Sequence, residues 1–414
     1  MRPRLFTVRN ALLFLIAVGI FAGLASWIKA GMPLPGTEVP STNGKLVWVS
    51  DRSGHSDLWM ADGKTGENAV ALTSDDATEQ TPVFSPNGSE VAFVAAKSAT
   101  DTPQIYVMNA VSGANPIALT RTSATKQKPL WGPDSLVYYL AQGKVLASRT
   151  DNFDTDQLLP EADELRAFTG DSDHLGMLHY GGVEQVYPSP DGKQLAAVFQ
   201  AEEGQVLVLV TLGDHHGEGI ALGAADKIFC QYLKDGRLIA TYVNGTPLQQ
   251  PKIAYNAQTT QAGAIVPPFS PTSKDESHLV VPYTKGNTYV VAYTPDGGRP
   301  LLPPLPFQPA AVTVSPDGTR IAVANDGTQK AANGQPFPGL TVLTIGEGGI
   351  TPEELFSDGV REPVWSPDGT QVAFVSGKDV YSTTVGSGLD AAQNLTQGKG
   401  NNSAPFWSPA VAKK

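Results

Sequence analysis

A turn-forming tetrad, Ser-Pro-Asp-Gly or a close variant, returns along this chain, each time behind an aromatic or apolar pair and ahead of an alternating apolar stretch. The fullest copy is Pro363-Val364-Trp365-Ser366-Pro367-Asp368-Gly369, followed by Val372, Phe374 and Val375. Others are Val83-Phe84-Ser85-Pro86-Asn87-Gly88, Tyr187-Pro188-Ser189-Pro190-Asp191-Gly192 and Val314-Ser315-Pro316-Asp317-Gly318. Weaker copies stand at Leu130-Trp131-Gly132-Pro133-Asp134 and Pro268-Phe269-Ser270-Pro271, and a truncated one at Pro405-Phe406-Trp407-Ser408-Pro409. Proline presets φ for the first corner of a tight turn, Asp or Asn tolerates the second, and glycine takes the left-handed conformation that closes a bulged hairpin. The serine can accept a backbone N–H from the turn. The aspartates Asp191, Asp317 and Asp368 are therefore read as structural, not catalytic.

The turn prolines fall at 86, 133, 190, 271, 316, 367 and 409. The gap of 81 between Pro190 and Pro271 is about twice the others, so a further turn is expected inside it, at Ile228-Phe229-Cys230-Gln231-Tyr232-Leu233-Lys234-Asp235-Gly236. Eight turns give roughly 45 residues per unit, a propeller-blade period. Each good unit reads as four strands. The second unit continues after its turn with Val91-Ala92-Phe93-Val94, Ile105-Tyr106-Val107-Met108, a Ser112-Gly113 turn and a short strand ending in Leu119-Thr120. Leu72-Thr73 and Leu395-Thr396 end their units the same way. The expected fold is all-β: an eight-bladed β-propeller, with seven blades as the alternative, made of four-stranded blades. Lys45 to Arg52 aligns with post-turn strands such as Gln371 to Ser376, whereas the C-terminal Ala404-Pro405-Phe406-Trp407 is a lone first strand. Pairing these ends would complete one blade and remove two open sheet edges. Burial of Phe406 and Trp407 should contribute about 1.5–3 kcal/mol each.

These residues resemble the WD40-like repeat of the TolB type (PD40), best in 363–376 and 82–94, and in Val49-Ser50-Asp51-Arg52-Ser53-Gly54 with Asp57-Leu58-Trp59-Met60. The resemblance covers most of residues 45–409. A repeating Gly-His…Trp-Asp pair is absent, so the chain does not resemble ordinary WD40 proteins. The resemblance implies a bacterial envelope protein whose propeller binds other proteins through its face and central channel. TolB itself carries an α/β domain before its propeller, and only about fifteen residues separate the apolar segment from the first repeat here; the Tol–Pal role is not carried over.

Arg2, Arg4 and Arg9 precede an uncharged run over 10–28. Nineteen residues span roughly 28 Å as a helix, about one bilayer core. The positive flank should stay cytoplasmic and the remainder lie outside the inner membrane. Residues 1–10 are thus expected as a basic tail, 11–28 as a transmembrane signal anchor or, from Gly23-Leu24-Ala25, a cleaved signal peptide, 29–44 as a linker and 45–414 as the propeller. If the signal is cleaved, the propeller is secreted. No cysteine near 20–30 offers a lipid attachment point. Cys230 is the only cysteine, which excludes an intramolecular disulfide and a thiolate metal cluster. The formal charge of −11 disfavours nucleic-acid binding.

Two clusters could carry chemistry. Asp214-His215-His216-Gly217-Glu218 joins two imidazoles to two carboxylates, a possible metal set, but also an ordinary polar hairpin. Asp171-Ser172-Asp173-His174 and His179, with Asp151, Asp154, Asp156, Glu161, Asp163 and Glu164, form an acidic segment without a calcium-loop spacing. Gly386-Ser387-Gly388 lacks the following helix of a nucleophile elbow. No catalytic, cofactor or metal residue is assigned. The leading expectation is a membrane-tethered envelope module that binds a protein, a peptide or a cell-wall component. The rival is a propeller lyase, cyclase or lactonase with its site at the channel mouth, where residues from different blades meet without a linear motif. A ligand sensor is a third reading, and with a tail of about ten residues it would need a membrane partner to signal.

Overall fold

The computed structural model describes residues 44–409, apart from 134–135, 143, 151–182, 202–203, 212–217, 257–286, 295–296, 306, 331–333, 335 and 347–348. No helix occurs among the described residues, and none therefore is long and apolar enough to cross a membrane; the expected anchor at 11–28 lies outside them. In chain order the strands are β1 (Lys45–Ser50), β2 (Asp57–Asp62), β3 (Val70–Ala71), β4 (Thr78–Phe84), β5 (Glu90–Ala96), β6 (Gln104–Asn109), β7 (Ile117–Ala118), β8 (Gln127–Trp131), β9 (Leu136–Ala141), β10 (Lys144–Arg149), β11 (Val183–Pro188), β12 (Gln194–Ala201) and β13 (Gly204–Thr211). They continue as β14 (Glu218–Tyr232), β15 (Leu238–Asn256), β16 (Tyr289–Thr294), β17 (Gly297–Pro300), β18 (Ala311–Val314), β19 (Arg320–Ala324), β20 (Leu340–Gly346), β21 (Gly349–Phe356), β22 (Arg361–Trp365), β23 (Gln371–Ser376), β24 (Asp379–Thr384), β25 (Gln393–Asn394) and β26 (Asn402–Trp407).

These strands make antiparallel sheets in the orders β26-β1-β2-β3, β4-β5-β6-β7, β8-β9-β10, β11 through β17, β18-β19-β20-β21 and β22-β23-β24-β25. The turn inferred inside the long gap is present: Leu233 to Gly236 joins β14 to β15, with Gly236 at φ 87°. No loop separates the outer strand before it from the inner strand after it. Residues Gly219 to Ala225 of β14 pair with β13, while all of β14 pairs along β15, so two units share one seven-stranded sheet. The turn expected at Pro271 lies outside the described residues.

The tetrads fold as the local chemistry requires. In four copies a serine Oγ donates to the Asp or Asn Oδ1 two residues on, at 2.7 Å in Ser85–Asn87 and 2.6 Å in Ser189–Asp191, Ser315–Asp317 and Ser366–Asp368. The same Oγ accepts the N–H five residues on, from Glu90, Gln194, Arg320 and Gln371. The glycines close the turn at φ 69–75°. Hydrogen bonds from Ser189 and the Lys193 N–H hold the Asp191 carboxyl below the usual range. The serine hydroxyl and the Asp or Asn Oδ1 of each motif are thus engaged within the turn.

Strand alternation divides each sheet between two cores. Val47 and Val49 pack with Phe84, Val91 and Phe93 of the following sheet. Leu46 and Trp48 point the other way, onto Ala373, Val375, Val380 and Trp407. Comparable clusters join β4–β7 to β8–β10, the two halves of the seven-stranded sheet to each other, that sheet to β18–β21, and β18–β21 to β22–β25. The motif tryptophans add a polar tie between neighbours: Trp131 Nε1 donates to Val83 O at 3.1 Å and Trp365 Nε1 to Thr313 O at 3.2 Å.

The two ends of the described chain meet. Leu46 pairs with Trp407 and Val49 with Ser403. Lys45 and Ser408 exchange hydrogen bonds (Lys45 N to Ser408 Oγ 3.1 Å, Ser408 N to Lys45 O 2.9 Å), Trp48 Nε1 donates to Asn402 Oδ1 at 3.1 Å, and Asp51 accepts from Asn401 N at 2.6 Å. Trp407 is buried, but Phe406 is only half-buried between two clusters, so the indole carries more of the apolar contribution than the sequence reading gave it. A Cβ on Gly63 would stand 2.2 Å from the Trp407 ring, which explains glycine there. Trp407→Ala is expected to cost about 3–5 kcal/mol, read from the first urea transition by tryptophan fluorescence; a loss below about 1 kcal/mol would show that the pairing contributes little.

Candidate functional site

The first strands β26, β4, β8, β11, the second half of β14, β18 and β22 touch one another in sequence, and β22 touches β26 again. Four of them carry the same irregularity. The register of β26 slips against β1 between Val47 and Val49, that of β4 between Gln80 and Val83, that of β8 between Gln127 and Leu130, and that of β22 between Arg361 and Val364. A proline stands at the same point of each of the four strands, Pro405, Pro82, Pro129 and Pro363, whereas β11 also slips, between Val183 and Gln185, without one. Proline has no N–H to give the ladder and is confined in sheets to edges and bulges. The residue before each proline takes a left-handed backbone: Ala404 (φ 52°), Thr81 (48°), Lys128 (51°) and Glu362 (55°). Left-handed backbone costs a non-glycine residue about 1–2 kcal/mol, and such strain gathers where a protein presents groups to a ligand.

The bulges form a row along one rim. Thr81, Lys128 and Glu362 are exposed, as are Gln80, Gln127 and Arg361 beside them. The row is stitched laterally. Ala404 N donates to Glu362 Oε2 at 2.6 Å, and Lys128 Nζ donates to Glu184 O at 2.6 Å. Burial pushes the Lys128 ammonium down, against the opposing pull of Glu184. The Glu184 carboxylate is itself held by Gln205 Nε2. The bulges were not legible as a site because no side-chain type repeats there; the first proline of Pro-x-Trp-Ser-Pro-Asp-Gly was the available signal.

Three residues before each proline lies a buried layer containing Asn402, Glu79, Lys126 and Val360. Asn402 Nδ2 donates to the carbonyls of Lys378, Lys399 and Gly400, and Lys126 Nζ to Thr122 Oγ1 and Ala124 O. Both are donors placed against loop carbonyls. Glu79 occupies the equivalent place, is 1% exposed, and its Oε2 has no hydrogen-bond partner. Burial, then the charges of Asp75 and Asp57, push its carboxyl up to about 8. Asp57 belongs to a structural device that sequence reading saw only as Leu-Thr: Thr73 Oγ1 donates to Asp57 Oδ1, Thr120 Oγ1 to Gln104 Oε1 and Thr396 Oγ1 to Asp379 Oδ1, tying each outer strand to the strand before it.

His215, His216 and the acidic segment of Asp171, Asp173, His174 and His179 lie outside the described residues. Among the described residues no group of three His, Cys, Asp or Glu is placed to hold a metal ion. Cys230 is buried among Tyr187, Tyr232 and Tyr242, and burial raises its thiol pKa well above the ordinary value. Ser387 borders a cleft of about 400 Å³ between Lys64 and Gln393, but its hydroxyl pairs with Thr383 and not with a base.

Solved structures similar to this chain include puromycin hydrolase (TM-score 0.51, 13% identity, 88% of this chain and 53% of that one). They also include TolB from Acinetobacter baumannii (TM-score 0.45, 15% identity, 90% and 68%) and the β-propeller domain of Cps50 from Myceliophteria thermophila (TM-score 0.40, 11% identity, 80% and 87%). The chain spans about half the length of puromycin hydrolase. No protein-family model matches it, and no curated protein matches it in sequence. The fold is a β-propeller.

Glu79 gives the site a pH dependence with a definite sign. Its folded pKa lies above the unfolded value of about 4.3, so the folded state holds the proton more tightly. No penalty exists below about pH 4; stability falls as pH rises from there, and the loss levels off above about pH 8. Glu79→Gln supplies a permanent donor and is expected to remove that slope, raising the urea midpoint at pH 8 while leaving it nearly unchanged at pH 4. Parallel profiles for the two proteins would contradict the assignment.

Proposed function

We propose that this chain is a membrane-anchored, extracytoplasmic β-propeller of the TolB-type repeat group, a closed ring of seven blades whose bulged inner rim docks a protein or peptide of the cell envelope. Seven blades follow when the seven-stranded sheet is divided at Asp226 and β26 is counted with β1. Seven is preferred to eight because the second half of β14 already touches β18. The group assignment rests on the repeats at 82–94 and 363–376, and the anchor on the uncharged run behind Arg2, Arg4 and Arg9.

The observation that carries the docking reading is the row of residues held in left-handed backbone on consecutive first strands, exposed and polar at Glu362, Thr81 and Lys128 and half-buried at Ala404. A fold stabilised by its inter-sheet cores has no need of four such residues. The rim is polar, with amides and both signs of charge, which suits an extended peptide better than an apolar ligand.

A photoreactive amino acid placed at Thr81 in intact cells is expected to give a discrete adduct of higher mass. The same group at exposed Leu389, in the loop between β24 and β25, is expected to give none. Equal labelling from both positions, or none from either, would remove the rim as a docking surface.

A further inference from the structure

We propose that the rim bulges at Thr81 and Lys128 form a carboxylate-binding cradle, and that the docked partner presents an acidic side chain of an extended peptide to it. The proposal rests on the docking reading above and adds the chemistry of the ligand.

The structure contains its own precedent. The left-handed turn before Pro405 directs the Ala404 N–H sideways along the rim, out of the ladder, and a carboxylate occupies it: Glu362 Oε2 at 2.6 Å. That carboxylate comes from the bulge residue of the preceding first strand, β22. Thr81 and Lys128 repeat the conformation, with φ 48° and 51°, the same slip of register and the same following proline. On our proposal their N–H groups are turned the same way. The bulge residue preceding Thr81 round the rim is Ala404, and that preceding Lys128 is Thr81; neither bears a carboxylate. Two successive copies of a carboxylate-binding element therefore lack the in-chain acid that fills the first.

Charge complements this geometry. Lys128 is the cation of the row on that side, its Nζ anchored on Glu184 O and so held at the rim instead of extending into solvent. A carboxylate received by a backbone N–H beside a partly desolvated ammonium gains a charge-assisted bond and a nearby opposite charge together. Gln80 and Gln127, each directly before its bulge residue and exposed, offer amides that can pair with a peptide main chain on either side. That repeated Gln-x-Pro, Gln80-Thr81-Pro82 and Gln127-Lys128-Pro129, favours a chain laid across two strands over a lone small acid.

The test uses the full chain in detergent at low ionic strength and a fluorescein-labelled Gly-Ser peptide bearing aspartates, compared by anisotropy with the same peptide bearing asparagines. The aspartate peptide is expected to bind about tenfold more tightly, with the preference fading as salt is added. Lys128→Gln is expected to weaken it about tenfold. Ala404→Glu places an acid where Glu362 stands relative to Ala404, and is expected to occupy the Thr81 N–H and compete. Glu362→Ala frees the Ala404 N–H and is expected to tighten binding. If Ala404→Glu does not fold, Glu362→Ala, which alters an exposed side chain, decides the matter.

Equal affinity for both peptides, or no response to Glu362→Ala and Lys128→Gln, would overturn the proposal. Adducts from Thr81 in cells with no aspartate preference would leave the docking surface standing and remove the acidic ligand. An aspartate preference that follows these variants without any adduct would support the cradle and remove the envelope partner.

Discussion

The pairing of β26 with β1 is the contact on which the rest of this architecture depends. Among the described residues the apolar clusters lie between neighbouring sheets or, in the seven-stranded sheet, between its two halves, so each layer needs a neighbour on both faces. A row of such sheets would leave one apolar face bare at each end. The strand order β26-β1-β2-β3 supplies the missing neighbour from the opposite end of the described chain, burying Trp407 against Trp48, Val375 and Val380. The polar seal around it, from Asp51 with Asn401 to Lys45 with Ser408, satisfies the backbone groups that an open edge would expose.

How far this could be read from the sequence depended on how local the cause was. The Ser-Pro-Asp-Gly turns were legible because their hydrogen bonds close within five residues, and the turn at Leu233 to Gly236 was found from spacing and an Asp-Gly pair alone. The fusion of two units through β14 and β15 was not legible, since nothing in Ala224-Ala225-Asp226-Lys227 distinguishes a loop from a strand that continues. The residue partnering each Leu-Thr was missed because Asp57, Gln104 and Asp379 share a place in the blade and not a chemical type. The rim was missed for the same reason: its shared feature is a backbone angle imposed by mismatched registers, and Ala404, Thr81, Lys128 and Glu362 have no side-chain property in common.

Strain, burial and function meet in the first strands. Each bulge proline forfeits a ladder bond and follows a residue in left-handed backbone, and three residues before three of the four prolines stands a buried polar side chain. Asn402 and Lys126 are donors to loop oxygens there, whereas Glu79 leaves its Oε2 without a partner and its carboxyl is pushed up to about 8 by burial. The cores between neighbouring sheets offset the cost of holding these unfavourable groups on the first strands. Stability is thus concentrated between the sheets, and the exposed, conformationally costly groups on the first strands.

The account stands on the joining of the two ends, and a covalent trap tests it most directly. Val49 and Ser403 are register partners across β1 and β26, and the one native cysteine, Cys230, is buried. With Val49→Cys and Ser403→Cys together, mild oxidation should give an intramolecular disulfide in nearly every molecule, seen as a faster-migrating band without reductant, and should raise the urea midpoint. Free thiols after oxidation, or crosslinks only between molecules, would show that the ends do not meet and that the sheets do not form a ring.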